Sequence, residues 1–357
     1  MIPGKTGLAA GGITALLFLV FPSALVWYGQ NHKDAFLISG YLITLYAFCS
    51  AVTQKSQKRL IADLLLFTLG CLLISITRPH MLAVYALTYG VVFAGLASWK
   101  LFKPTRVGRN SIPVAATMLG IIILASAIVP KLIKDGDRIQ KFATTFYTEN
   151  SERPWSEAGF LPDIVEKKLA QTSAVRGHFI KHSELKSANS TIDAEVIPSN
   201  AYEVAAYLPR ALWIGMFAPF PNDWLEKPSL PRLIGALEMT VFYFTAPGLL
   251  LLALYWHKLT LPLLICVTVS AITLTVLAYT SPNVGSLHRI RYGPFFILIL
   301  AGVIGWLQFF GKRAFFLRRF HVVAYNNDYQ PSEGINSGNL NNYFNGHQTF
   351  FISSAVI

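Results

Sequence analysis

The chain has 357 residues, of which 53% are hydrophobic and 13% charged, with a formal net charge of +12 and a mean hydropathy of +0.47. Soluble domains carry about 25% charged residues, so the composition excludes an ordinary water-soluble domain and points to an all-α bundle of membrane helices. The positive charge is no nucleic-acid footprint, which needs a basic face on a soluble domain; it lies in short clusters between apolar runs, as in chains that orient themselves in a bilayer.

A span needs about 20 mostly apolar residues, and eight segments qualify in chain order: 7–29, 35–53, 60–77, 81–98, 112–130, 236–255, 260–279 and 294–310. The first follows Lys5 and offers no small-residue cleavage site, so it is expected as a retained span and not a removed signal peptide. Only Arg78-Pro79-His80 divides the third from the fourth, and one kinked or re-entrant hairpin is the alternative there. Cys49, Cys71 and Cys266 all fall inside apolar runs and read as buried thiols, which leaves the loops no disulfide framework.

Lys and Arg in short loops set orientation. Taking alternate connections, Lys5, "QKSQKR", "WKLFKPTRVGRN", the Lys258 turn and "GKRAFFLRR" place 13 basic residues on one side. The opposite short loops hold four, Lys33, Arg78, Arg289 and Arg291, so both termini are expected in the cytoplasm and segment 131–235 outside. That gives spans one to five over 1–130, an extracytoplasmic cap over 131–235 and spans six to eight over 236–310. A basic, then Asn-rich, flexible cytoplasmic tail completes the division over 311–357.

Within the cap, "LPDIVEKKLAQTSAVRGHFIKHSELKS" is rich in helix formers, and Pro162 suits a helix start. Farther on, Asn200 and Glu203 have capping-box spacing. The apolar run 211–220, closed by Pro219 and Pro221, is too short to span and reads as an interfacial or re-entrant helix. His178 and His182 lie four apart before Glu184; that spacing could hold a metal, though a polar surface helix explains it as well. Asp63 follows Arg59 by four residues, the spacing of an ion pair on a helix.

The expected outer face collects Lys33 and Asp34, Arg78 and His80, Arg210 from the cap, and His288, Arg289 and Arg291 from "SPNVGSLHRIRYGPFF", with Glu238 about one turn into its span. Cations there oppose the orientation signal, and clustered Arg suits phosphate because the guanidinium fork matches two oxygens. Lys33, Arg78, His80, Arg210, Arg289 and Arg291 are therefore candidate phosphate-binding residues, and Asp34, Glu238 and His288 candidate proton carriers. The bland readings are that Arg289 and Arg291 snorkel to lipid headgroups, that Arg78 is a turn residue, that Lys33 and Asp34 form a surface pair, and that Glu238 pairs with Arg232. No Gly-rich phosphate loop, HExxH, CxxC or GxSxG occurs, so no motif names a cofactor, and dependence on a divalent metal is left open.

"FPSALVWYGQNHKDAF" (21–36), "RPHM" (78–81), "STIDAEVIPSNAYEVAAYLPRALWIGMFAPFP" (190–221) and "NVGSLHRIRYGPF" (283–295) resemble stretches of bacterial polytopic membrane proteins of surface-glycan assembly. These are polyprenyl-phosphate-dependent glycosyltransferases and O-antigen polymerases or ligases. The resemblance implies an inner-membrane enzyme that takes sugar from a polyprenyl-phosphate-linked donor at the outer face. Its expected partners are membrane lipid, that lipid-linked glycan and proteins of envelope assembly, with no nucleic acid. A flippase for an anionic lipid-linked substrate and a non-catalytic envelope scaffold are the alternatives.

Overall fold

The computed structural model describes residues 5–24, 33–53, 57–102, 111–132, 155–185, 190–226, 230–254 and 259–327. These residues are almost entirely helical, with one isolated antiparallel bridge, Thr191 to Asn283. The chain divides into two units, Met1–Gln308 and Phe309–Ile357.

Among the described residues seven helices are long and apolar enough to cross a membrane, which makes this a multi-pass membrane protein. They are α2 (Lys33–Thr53), α3 (Gln57–Thr77), α4 (Met81–Phe102), α5 (Ser111–Leu132), α9 (Leu230–Leu254), α10 (Leu261–Thr280) and α12 (Tyr292–Asn327). Of the first expected span, α1 covers Lys5–Val20, 16 residues, and helix resumes at 22–24 after a break at Phe21, while residues 25–29 lie outside the described residues. Pro22 disfavours helical geometry at Phe21. Residues 78–80 form a tight turn, closed by a 2.9 Å bond from Met81 N–H to the Arg78 carbonyl, so α3 and α4 are separate helices. At the other end of the chain, α12 does not stop near 310. Its helical run continues to Asn327, and the second unit begins within it, at Phe309. The remainder of the expected tail lies outside the described residues.

Two groups of helices pack in the first unit. One buries apolar side chains of α2, α3, α4 and α5 with one side of α10, through Ile265, Val269 and Leu277. The other joins α1, α9 and α12 to α10 through Leu263 and Leu274. α10 therefore serves both groups, and none of its residues is exposed. Where helices cross most closely they use glycine, since small residues let backbones approach in a membrane. A Cβ on Gly40 would lie 2.8 Å from the Gly70 carbonyl oxygen of the neighbouring helix, and one on Gly70 2.9 Å from that of Gly40.

The cap is built from α6 (Asp163–Leu185), α7 (Ala201–Phe217) and the one-turn α8 (Asp223–Glu226). The Asn200 side chain caps α7 by accepting from Glu203 N–H at 2.9 Å, while the Glu203 carboxylate reaches back to Ser199 N–H at 2.7 Å. α7 then runs along α10 from its C-terminal end toward its middle. Tyr207 meets Tyr279 with ring centres 6.0 Å apart, and Gly215 lies against the Leu274 carbonyl. This 17-residue helix starts ten residues earlier than the apolar run 211–220 alone suggests. Its Gly215 brings the two backbones into contact.

One side chain holds the cap to the bundle. Arg176 of α6 is fully buried and donates to the carbonyls of Val196, Asp193 and Tyr279 and to the Tyr207 hydroxyl, at 2.8–3.0 Å. Burying a charge costs much less when its donors are satisfied, and here the acceptors come from the cap loop, α7 and the end of α10. Nearby, the backbone of 190–192 pairs with 282–284, Ile192 N–H to Pro282 at 3.0 Å and Val284 N–H to Ser190 at 2.9 Å. The cap is thereby stitched to the segment carrying the basic residues, the short helix α11 (Val284–Ile290).

Candidate functional site

Asp34 lies in the first turn of α2, where the helix dipole favours a carboxylate. Its side chain is fully buried and held from two directions. Arg78, leaving α3 just before Pro79, donates from Nε and Nη2 to Oδ1 at 2.9 and 2.6 Å. Arg289 of α11 donates from Nε and Nη2 to Oδ2 at 3.2 and 2.7 Å. Each guanidinium thus presents its side-on edge to one carboxylate oxygen. The pair Asp34–Arg289 joins residues 255 positions apart and ties α11 to the start of α2.

The helical period explains why neighbouring basic residues do different work. Residues 288 and 289 are about 100° apart around α11, while 288 and 291 are three apart and share a face. Arg289 accordingly turns to α2, and His288 and Arg291 turn to α9. There Glu238 accepts from the Ser23 backbone N–H at 2.7 Å and from the Tyr292 hydroxyl, and lies 3.0 Å from His288 Nε2. On the other side of the ring, His288 Nδ1 is 3.0 Å from Arg291 Nη2. Arginine has no acceptor, so Nδ1 must carry the lone pair and Nε2 the proton that is donated to Glu238. His288 is therefore a neutral imidazole between a carboxylate and a guanidinium.

Arg291 is 1% exposed. Its Nη1 donates to the Gly215 carbonyl of α7 at 3.2 Å, its Nη2 approaches Met239 Sδ at 3.0 Å, and its guanidinium carbon stands 4.8 Å from the centre of the Phe295 ring. Its Nε has no hydrogen-bond partner. Burial pulls this guanidinium's pKa down to about 10, with Tyr292 and Glu238 opposing the fall. Burial also lowers His288; the bond to Glu238 works against that shift, and the charge on Arg291 adds to it. Among these described side chains three guanidiniums stand against two carboxylates.

The remaining sequence candidates fall elsewhere. His80 is partly buried in the turn beside Arg78. Lys33 opens α2, and its side chain lies outside the described residues, as does that of Arg232, the expected partner of Glu238. Arg210 stays on the cap, paired through Nε and Nη2 with Asp193 at 3.0 and 3.1 Å. Although burial raises the Asp193 carboxyl, hydrogen bonds from Arg210 and Tyr207 bring it below the usual range. Asp63 accepts from Ser50 of α2 at 2.9 Å instead of pairing with Arg59. His178 and His182 stack on α6 with ring centres 6.2 Å apart, and among the described residues no three His, Cys, Asp or Glu side chains are placed to hold a metal ion.

Three participants escaped the sequence reading. Ser23 contributes only a backbone N–H, which leaves no mark in sequence. Tyr292 opens α12, and nothing in the sequence marks the carboxylate that its hydroxyl meets. Arg176 did leave a signal: it shares a helix face with Ser173, Gly177 and Ile180, all small or apolar, on an otherwise polar helix.

Set against family models, curated proteins and solved structures, the chain finds no match in any of the three.

Proposed function

We propose that the protein takes sugar from a polyprenyl-phosphate-linked donor at the outer face of a bacterial inner membrane, within cell-envelope glycan assembly. The observation that carries this reading is the convergence of Arg78, Arg289 and Arg291 at one end of the bundle, two holding a shared carboxylate by their side-on edges and the third with its Nε unpartnered. The guanidinium edge fits two phosphate oxygens, and donors fixed in advance stabilise the charge that develops on a departing phosphate. The orientation rests on basic residues in short loops. From Lys33 onward the side assigned to each loop is the same whether or not α1 crosses.

In this reading the acceptor hydroxyl's oxygen bonds to the sugar's anomeric carbon, and the bond from that carbon to the phosphate oxygen breaks, its electron pair leaving with the phosphate. His288 takes the hydroxyl proton at Nδ1, and Glu238 stabilises the imidazolium through Nε2–H. Asp34 has both oxygens occupied by guanidinium groups, which gives it a holding role and not that of a base.

The test uses the protein in nanodiscs with a prenyl-diphosphate-linked sugar. Arg289→Ala and Arg291→Ala are each expected to insert normally, to bind the donor at least about tenfold more weakly, and to yield no extended glycan. Unchanged extension by both variants would refute the reading. Movement of the intact lipid-linked sugar across sealed vesicles, with no new glycosidic bond, would replace it with transport.

A further inference from the structure

Three arginines meet at this end of the bundle, and two of them show how the third is built to act. Arg78 and Arg289 use the Nε/Nη2 edge, each on one oxygen of Asp34. On Arg291 the same edge lacks an anion. Nε is buried without an acceptor, and Nη2 has only a thioether, a weak acceptor, and His288 Nδ1. A buried N–H left without a partner is costly to keep, and an anion on this edge would satisfy Nε, which has no partner, and Nη2, which now meets the thioether and the imidazole nitrogen.

That nitrogen is the one the proposed chemistry needs. With Nε2 donating to Glu238 and Nδ1 covered by Arg291, His288 has no lone pair free to accept a proton. The groups facing it are Glu238 from α9, Tyr292 from α12 and Arg291 from its own segment, with the Arg289–Asp34 pair on the adjacent face of α11. Nη2 has two hydrogens, which face Met239 Sδ and His288 Nδ1, so a ligand seated on Nε and Nη2 of Arg291 competes with both of these acceptors for them. It also neutralises the cation nearest the imidazole while leaving the Glu238 carboxylate in place.

We propose that a phosphate group bound side-on to Arg291 uncovers His288 Nδ1, so that anion binding at this site is coupled to uptake of one proton by His288. This rests on the reading of the site as a phosphate site and adds a control to it. The base becomes available only once the donor's phosphate is seated, which keeps the imidazole from accepting a proton in the empty site. The neutral form of His288 in the absence of ligand fits this order of events, since burial and Arg291 both disfavour its charge. Filling the Arg291 edge removes the second of those two influences.

The coupling is read in two ways. First, with no ligand, the protonation midpoint of His288 is followed by ¹⁵N-histidine NMR in nanodiscs, its signal identified by loss in His288→Gln. Arg291→Met should raise that midpoint by about one unit or more, the usual effect of removing a like charge at contact distance. An unchanged midpoint would overturn the proposal. Second, binding of farnesyl phosphate and, separately, of inorganic pyrophosphate is measured calorimetrically in two buffers of different ionisation enthalpy. Wild type should take up about one proton more per bound anion than His288→Gln, which still binds. Equal uptake in the two proteins sinks the coupling and leaves the phosphate site standing, whereas failure of both probes to bind wild type sinks the site and the coupling together. Uptake with farnesyl phosphate alone identifies a lipid-anchored headgroup, and uptake with pyrophosphate as well identifies the phosphate itself as sufficient.

Discussion

Replacing Asp34 by Asn separates two roles that a buried carboxylate can play. In the native protein four N–H donors converge on Asp34 at 2.6–3.2 Å. Asparagine keeps one acceptor oxygen and turns an NH₂ group toward the other guanidinium, so one bidentate contact becomes a repulsion between donors. Removing one partner of a buried ion pair costs about 3–5 kcal/mol. Arg78 and Arg289 retain 20% and 27% of their side-chain exposure and can rehydrate in part, which brings the expected loss to about 2–3 kcal/mol. Phosphate binding should move the other way. The same substitution removes the anion that competes for two guanidinium edges, and a gain of about 1.4 kcal/mol would be a tenfold tightening. Thermal unfolding in nanodiscs and a farnesyl phosphate titration on the same sample measure both. Asp34→Asn that is less stable but binds more tightly supports a holding role. Weakened binding in parallel with Arg289→Met would refute it and make Asp34 a direct contributor to the ligand site.

Two further outcomes follow from the geometry. Asp193 has a depressed carboxyl value, so its contribution to cap stability is complete above the unfolded value of about 3.9 and is lost as pH falls through the lower folded value. Limited proteolysis should therefore open the α6–α7 region of wild type only in acid and that of Asp193→Asn at neutral pH as well; identical cleavage of the two proteins at neutral pH would count against it. At the opposite end of α2, Cys49 Sγ and Cys266 Sγ of α10 are 3.5 Å apart as free thiols. Copper-phenanthroline oxidation should join them, so that protein cut within 133–154 runs as one species on a non-reducing gel and as two after reduction. Two bands before reduction would mean that α2 and α10 do not meet there.

What could be read from sequence was what repeats along it. The apolar runs of α2 to α5, α9, α10 and α12 are each long enough to announce a span, and the Asn200/Glu203 pair announced the start of α7. The interruption of the first helical run at Phe21 was also visible, at Phe21-Pro22, but a window average of hydropathy passes over a single proline. The candidate site was legible as a set of residues and not as a set of bonds. Asp34 and Arg289 were both named, yet nothing along the chain says that position 34 meets position 289. The same gap hid Glu238 and His288, 50 residues apart and held by α9 and α11. The one part of the site that local periodicity could supply was the division of labour between Arg289 and its neighbours, because three-residue spacing puts His288 and Arg291 on one side.

α10 bears on how the chain is made as well as on how it is held. Ribosomes deliver α2 to α5 first, then the whole of segment 133–229 and α9, and only afterwards the helix whose Ile265, Val269 and Leu277 complete the first group. Until that late arrival, the early helices must wait in the bilayer with lipid filling a slot meant for protein. Lesions at this helix should accordingly surface as poor yield and rapid degradation of nascent material, ahead of any defect in function.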